Sequence, residues 1–326
     1  MTYRFKLNEP FASGVSRIGL EQIETAEQQV TGADGDVAVH NIRRCLKRLR
    51  ALLRLVRPAL SEVVYRRETH AIASIGRQFA PARDRVVVRQ TLMKLEARFG
   101  ALPNGSGSRL DRLLAKPAAR VPSRITGKDR RSALAALAKS KKFFARAERA
   151  GIRPEHASEG LERTYRRARR LFRDCFQQPS DGAFHEWRKS VQQHWRHMQL
   201  LSRAWPDVLG GRAREAKELS RLLGEDHDLA MLAAFVAERP EAQVPSGDRE
   251  EFIRRCRSWQ SELRDLAKPR ARRLFAEPAA DFTSRLMTYW AEAESLSRLE
   301  PALEKPAKSK PVSARGGRRR TRASLP

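Results

Sequence analysis

The chain has 326 residues, of which 66 are Lys or Arg and 38 are Asp or Glu, so its formal net charge at pH 7 is +28. So many positive charges repel one another in the folded state, which indicates an anionic partner. The candidates are nucleic acid, an anionic membrane face and an inorganic polyanion. Apolar residues make up 40% of the chain, enough for a hydrophobic core, but no apolar run approaches the roughly 20 residues that a membrane span needs.

Helical periodicity dominates the chain and no window alternates at period 2 for long, which predicts an all-α fold. Residues 1–10 are a short N-terminal segment. The predicted helices lie at about 14–30, 37–57, 61–80, 84–99, 108–115, 128–150, 159–176, 183–205, 212–223, 226–237, 248–274 and 281–297. Residues 301–326 are basic with almost no apolar content, so we expect a disordered tail.

The cysteines and the N-terminus bear on the compartment. Cys45, Cys175 and Cys256 are scattered and form no CxxC pair, so they do not suggest a disulfide framework. We expect them to be buried as small hydrophobes in a reducing compartment. The N-terminus lacks the apolar run of a signal peptide. A cytoplasmic protein without a membrane anchor is therefore the expectation.

The predicted helix 37–57 has one apolar and one basic face. At 100° per residue, Ile42, Leu46, Leu49, Leu53 and Val56 fall within an arc of about 80°. The opposite side lacks acidic residues at i±4 that would relieve its charge repulsion. Its basic residues are His40, Arg43, Arg44, Lys47, Arg48, Arg50, Arg54 and Arg57. Arginine suits forked hydrogen bonds to phosphate oxygens.

The chain repeats itself in three landmarks at offsets of 146, 145 and 144 residues. The matched pairs are Gly14-Val15-Ser16-Arg17 with Gly160-Leu161-Glu162-Arg163, His40-x-x-Arg43-Arg44 with His185-x-x-Arg188-Lys189, and Arg83-Asp84 with His227-Asp228. The order and spacing predict two homologous halves, at 11–150 and 155–300. Similar halves usually pack about a pseudo-twofold axis, so their basic faces would line one shared groove.

The second half carries two further basic faces. On the helix that begins near His185, the cationic side holds Arg188, Lys189 and Arg196, but Gln192, Gln193 and Gln199 replace Lys47, Arg48 and Arg54. We therefore expect the first half to hold an anion more strongly. The helix at 159–176 places Arg163, Arg166, Arg167, Arg170 and Arg173 on one side. For any single arginine, a solvated charged face is an equal alternative.

Other chemistries find little support in the sequence. No His-x₃-His or carboxylate cluster completes a metal site around His40 or His185, and no nucleophile with an oriented base is evident. We expect no metal, cofactor or catalytic residue. The two histidines fit a polar anchor that donates to an anion or to a neighbouring helix, with a purely structural role as the alternative. Zinc spacings, aromatic RNA-binding strands and a clear helix-turn-helix are missing as well.

The two His-x-x-basic-basic motifs, the two Gly-containing helix starts and the run Leu219 to Leu229 resemble the CHAD family, the conserved histidine α-helical domain. The resemblance covers about residues 10–300. It implies two pseudo-symmetric bundles of up-down helices around a basic channel, with binding of inorganic polyphosphate and association with polyphosphate granules. Its implied ligand contacts are Arg17, His40, Arg43, Arg44, Lys47, Arg48, Arg163, His185, Arg188 and Lys189. The helical wheels add Arg50, Arg54, Arg166, Arg167, Arg170 and Arg196.

These observations favour a non-catalytic polyphosphate-binding protein. A flexible phosphate chain can follow a groove too narrow for duplex DNA and needs no contact with bases. The alternative is a non-specific nucleic-acid-binding protein, helped weakly by the tail residues 315–322, which contain five arginines. A polyphosphate-processing enzyme is a third hypothesis.

Overall fold

The computed structural model describes residues 3–32, 35–78, 80–115 and 127–303, with backbone alone at 36, 80–84, 103 and 300–303. Within these ranges the chain forms eleven α-helices and no strand, which confirms the predicted all-α fold. The helices are α1 (Phe11–Gly32), α2 (Asp36–Leu55), α3 (Glu62–Gln78), α4 (Ala80–Phe99), α5 (Ser106–Ala115), α6 (Gly127–Ala147), α7 (Pro154–Gln177), α8 (Asp181–Leu200), α9 (Pro206–Ala237), α10 (Ser246–Leu274) and α11 (Ala279–Leu303).

Helix boundaries differ from the prediction at a few places. The helices expected at 212–223 and 226–237 are one helix, α9, because Leu222, Leu223 and Leu229 continue a buried stripe across Gly224. Helix α8 ends at Leu200, five residues early. Helix α11 extends to Leu303, into the stretch expected to be disordered. The remaining tail, 304–326, and the side chains of the Arg83-Asp84 landmark lie outside the described residues.

The helices pack in two neighbouring groups. Helix α1 packs against α2 and α6, and α3 also contacts α2 and α6. In the second group α7 contacts α8 and α11, while α9 lies between α8 and α10. The contacts of α1 with α2 and α6 thus have counterparts in those of α7 with α8 and α11. Helix α4, however, contacts α9 of the second half more than it contacts α3. Two homologous halves and a twofold relation between them stay predictions.

Helix α2 packs against four other helices, α1, α3, α7 and α8. Its predicted apolar stripe is buried throughout: Ile42, Leu46, Leu49, Leu53 and Val56 are at most 3% exposed. Leu52 and Leu55, outside that stripe, are buried too. Burial therefore covers more of the helix than an amphipathic surface helix requires.

Helix α7 crosses α2 at very close range. A Cβ atom on Gly160 would overlap the carbonyl oxygen of Leu55, so glycine is required there by the approach of the two backbones. The 3-10 helix Arg57–Ala59, which follows α2, also contacts α7. Gly160 is one of the repeat landmarks, and its role is to let α7 reach the end of α2.

The three cysteines are buried free thiols, as predicted. Burial raises the pKa of Cys175 and of Cys256 to about 12. Burial also raises the pKa of Cys45, although the charges of Arg48 and Arg44 oppose the shift. The thiols therefore stay protonated and act as small apolar side chains.

Candidate functional site

Helices α2, α7 and α8 meet at the buried side chain of His197. Its Nε2 lies 3.0 Å from the carbonyl oxygen of Ala51 on α2, and its Nδ1 lies 3.1 Å from the Thr164 hydroxyl on α7. Burial lowers the pKa of His197 to about 4, so the ring is neutral at pH 7. A carbonyl only accepts, so the hydrogen-bond pattern assigns the ring proton to Nε2. One histidine thus fixes the three helices relative to one another.

Beside this junction lies a cavity of about 280 Å³, which we call the basic cavity. Five of its lining residues are cationic and one is acidic. The lining is Arg54, Arg57, Tyr65, Arg163, Thr164, Arg167, Glu186, Lys189, Ser190 and Gln193. The end of α2, the following 3-10 helix, α3, α7 and α8 all contribute, so the cavity exists only when both halves of the chain are folded together.

Part of this charge is neutralised within the protein. A Glu186 oxygen lies 2.5 Å from Lys189 Nζ and the other lies 3.3 Å from an Arg167 nitrogen. The hydrogen bond from Lys189 lowers the pKa of Glu186, so the carboxylate is ionised. Arg57 forms an ion pair with Glu62 at 2.9 Å and lies over the Tyr65 ring.

Arg54 and Arg163 differ from these residues. Neither forms an ion pair with any carboxylate in the described part of the chain, although both line the same cavity. They are therefore the cations best placed to bind an external anion.

Further cations lie behind Arg54 along α2. The Nε atom of Arg50 is buried and lacks a hydrogen-bond partner in the described structure. Burial lowers the pKa of Arg50, and the neighbouring charge of Arg54 lowers it further. Arg196 of α8 is 5% exposed, and burial lowers its pKa to about 10, with Arg48, Arg50 and Arg54 adding repulsion. All these guanidinium groups remain charged at pH 7, so the cluster repels itself until an anion approaches.

Of the predicted ligand residues, Arg54, Arg163, Arg167 and Lys189 line the basic cavity, and Arg50 lies next to it. Arg166 and Arg170 are exposed on α7 and pair within the helix with Glu162 and Asp174. The sequence missed Tyr65, which no basic pattern marks. Arg57 was on the predicted basic arc but was not selected.

Three predicted ligand residues form hydrogen bonds inside the protein. Arg17 contacts both oxygens of Glu9, at 2.6 and 2.9 Å, and also pairs with Glu21 at 3.3 Å. Arg48 donates to the side chain of Gln22 at 3.2 Å. Arg196 is buried, and its guanidinium donates to the Gln192 carbonyl oxygen at 2.7 Å. A helical wheel shows which way a side chain points but not which segment covers it.

The histidine landmark of the second half contacts another histidine. The Nδ1 atoms of His185 on α8 and His227 on α9 are 3.1 Å apart, so one must donate and the other accept. Burial lowers the pKa of both rings, that of His227 to about 4, and Lys189 and Arg188 add to the effect. His185 therefore anchors α8 to a neighbouring helix, one of the two roles expected for it.

The first half of α2 lies apart from the basic cavity. His40 and Arg44 are exposed, while Arg43 and Lys47 are half-buried. At 1.5 Å per residue, His40 is about 21 Å from Arg54 along the helix axis. These residues can therefore meet a ligand in the cavity only if that ligand is a chain long enough to follow α2.

A model of the CHAD domain family matches residues 17–237, two thirds of the chain. The chain belongs to the CHAD family. No curated protein matches it. The CHAD match begins within α1 and ends at the last residue of α9, so it contains all three helices of the His197 junction. Helices α10 and α11 lie beyond it.

Two further features limit the chemistry of the described residues. None of the described helices is long and apolar enough to cross a membrane. Within the same part of the chain, no group of three or more His, Cys, Asp or Glu side chains is arranged to hold a metal ion.

Proposed function

We propose that this protein binds inorganic polyphosphate without chemical turnover, and that the basic cavity is the centre of the site. The observation that carries the proposal is that Arg54 and Arg163 line one small cavity without an ion-pair partner in the described structure. Membership of the CHAD family supports polyphosphate as the anion in general terms. The site offers forked donors but no aromatic platform for bases beyond Tyr65.

The proposed path of the phosphate chain follows α2 away from the cavity. Arg54, Arg50, Lys47 and Arg43 succeed one another at helical spacings of three or four residues, covering about 17 Å of the axis. A flexible chain could contact them in turn, whereas the cavity is too small for a duplex. In this proposal α2 of the first half and α7 and α8 of the second form a basic channel between pseudo-symmetric halves. Binding of this kind would also dock the protein on polyphosphate granules.

Titration with long-chain polyphosphate at physiological salt tests the proposal. We expect the Arg54→Gln/Arg163→Gln variant to lose at least about tenfold in affinity, since each charge-assisted hydrogen bond contributes about 1.5–3 kcal/mol. The slope of log affinity against log salt concentration should also become less steep, by the amount expected for the loss of about two phosphate contacts. The matched control is Arg214→Gln/Lys217→Gln, which removes two exposed cations from α9.

The control variant should bind within about twofold of the wild type, because its net charge changes equally but its cavity does not. An equal loss in both variants would mean that diffuse charge, rather than the cavity, binds the polyanion. Shortening of the polyphosphate during the incubation would favour the polyphosphate-processing enzyme instead.

A further inference from the structure

The N-terminal segment Tyr3 to Glu9 lies over the part of α2 and α8 that adjoins the basic cavity. The buried Tyr3 hydroxyl donates to the backbone oxygen of Arg48 at 2.9 Å. The guanidinium of Arg48 lies over the same ring, 4.9 Å from its centroid. Burial raises the pKa of Tyr3 even though the charges of Arg196 and Arg48 act to lower it. The tyrosine is therefore next to two of the cations that the sequence assigned to the ligand.

The segment is fastened at several points. The Phe5 amide donates to the Leu200 carbonyl at the end of α8, at 2.9 Å. The Phe5 ring is fully buried and stacks on Phe11, with 4.1 Å between centroids. Arg17 holds the segment through the side chain of Glu9 and through the carbonyl oxygen of Arg4, at 3.0 Å. In the described structure Arg17 therefore fastens the segment to α1.

The segment Tyr3 to Glu9 and the basic cavity adjoin different parts of α2 and α8. Arg48 and Arg54 are six residues apart on α2, about 9 Å along the axis. On α8, Arg196 lies on the Arg48 side and Lys189 lines the cavity. Tyr3 lies over Arg48 and next to Arg196, so a phosphate chain that runs from the cavity past Arg50 and Lys47 finds the tyrosine ring where it would otherwise contact these two cations.

We infer that Tyr3 and its segment form a cover that withholds Arg48 and Arg196 from a bound phosphate chain and so limits how many phosphates the site holds. This inference rests on the proposed function. The Tyr3 ring contacts the Arg48 guanidinium, which a phosphate group could otherwise contact. A charge-assisted hydrogen bond from arginine to phosphate is stronger than this cation–π contact. Removing the ring should therefore lengthen the site.

Tyr3→Ala tests the inference with long-chain polyphosphate and with tripolyphosphate as the short probe. Removing the ring should raise affinity for the long chain about three- to tenfold and steepen its salt dependence by one to two phosphate contacts. Affinity for tripolyphosphate should stay unchanged, because the cavity is unaltered. Tyr3→Phe keeps the ring and should behave as the wild type. Adding both Arg48→Gln and Arg196→Gln to Tyr3→Ala should abolish the gain.

A second comparison does not depend on the stability of the Tyr3 variants. In the wild-type background, Arg48→Gln should weaken binding of the long chain less than Arg54→Gln does, although both cations lie on α2. Equal losses, or a Tyr3→Ala protein that binds as the wild type does, would overturn the cover. If the wild type itself fails to bind polyphosphate, the proposed function is wrong. That result differs from both outcomes that would overturn the cover.

Discussion

Arg50 on α2 destabilises the free protein, and in the proposed function it contacts the bound anion. Arg50 has a buried, unsatisfied Nε, and its nearest charges include Arg54 and Arg77. Burying a guanidinium among other cations without a carboxylate disfavours the folded state. Residues placed for binding often lower stability in this way. Neutralising Arg50 should therefore raise stability and lower affinity for the anion.

Arg50→Met is the corresponding prediction. Methionine keeps the length of the aliphatic stem but removes the charge, so thermal unfolding at low salt should shift upward by about 2–4 °C. Affinity for polyphosphate should fall at least about threefold, because one charge-assisted contact is lost. The control is Arg44→Met on the exposed side of the same helix, which should change the unfolding temperature much less. A lower unfolding temperature for Arg50→Met would contradict electrostatic strain at this position.

His197 predicts a pH dependence of stability. Its pKa in the folded protein is about 4, against about 6.5 for an unfolded histidine, so the unfolded state binds more protons between these values. Its contribution to stability is therefore complete above pH 6.5 and is lost as the pH falls towards 4. The full difference amounts to about 3 kcal/mol.

Urea unfolding of the wild type and of His197→Gln, compared between pH 7 and 4, measures this contribution. Glutamine can still donate to the Ala51 carbonyl but does not titrate, so its stability should fall less steeply by about that amount. His194 is buried and its pKa is lowered mainly by burial, with smaller contributions from Arg212 and His197, so its titration is largely retained in His197→Gln. Parallel curves for the two proteins would show that His197 is not the titrating group.

At the scale of helices, the sequence predicted most elements and their faces. The apolar stripe of α2 is confirmed residue by residue, because a 3.6-residue period leaves little ambiguity in so long a segment. Tyr3 and Phe5 of the N-terminal segment are buried, although no strand forms there. The sequence predicts a helix end near Gly224, but buried leucines on both sides keep α9 continuous.

The candidate site was predictable only in part. The wheels identified Arg54, Arg163 and Arg167 because their helices carry continuous basic faces. They could not show that α3 adds Tyr65, that Glu186 neutralises two of the cations, or that residues 3–9 cover Arg48 and Arg196. Those facts depend on contacts between segments far apart in the chain, which no periodicity within one helix encodes.

The contact of α7 with α2 gives a prediction at this scale. Gly160→Ala places a methyl group against the Leu55 carbonyl, so the two helices must separate. Overpacking of this kind costs about 1–3 kcal/mol, partly offset by the higher helix propensity of alanine. Because Arg54 and Arg163 lie on the two helices, polyphosphate affinity should fall together with stability.

Gly182→Ala is the matched control for this substitution. Gly182 lies in the first turn of α8 with open space around its Cβ position, so alanine there should leave affinity unchanged and stability equal or slightly higher. Chemical denaturation and polyphosphate titration of both variants check the prediction. Wild-type stability in Gly160→Ala would mean that the α2–α7 approach tolerates a side chain.

At the scale of the whole molecule, a net charge of +28 makes some binding to any polyanion inevitable, at least at low salt. The basic residues 315–322 lie outside the described structure and add to this background. The proposed function is therefore tested by a preference for polyphosphate over other polyanions, not by binding alone. A cavity lined by both halves of the chain should select a flexible phosphate chain, whereas a basic tail should not.

The most direct measurement is competition between long-chain polyphosphate and single-stranded DNA at physiological salt. It compares the full chain, the Arg54→Gln/Arg163→Gln variant and a chain lacking residues 304–326. We expect the full chain to prefer polyphosphate, the truncated chain to keep that preference, and the arginine variant to lose it. A preference for DNA, or a polyphosphate preference that disappears with the tail and survives the arginine substitutions, would contradict a site at the junction of α2, α7 and α8.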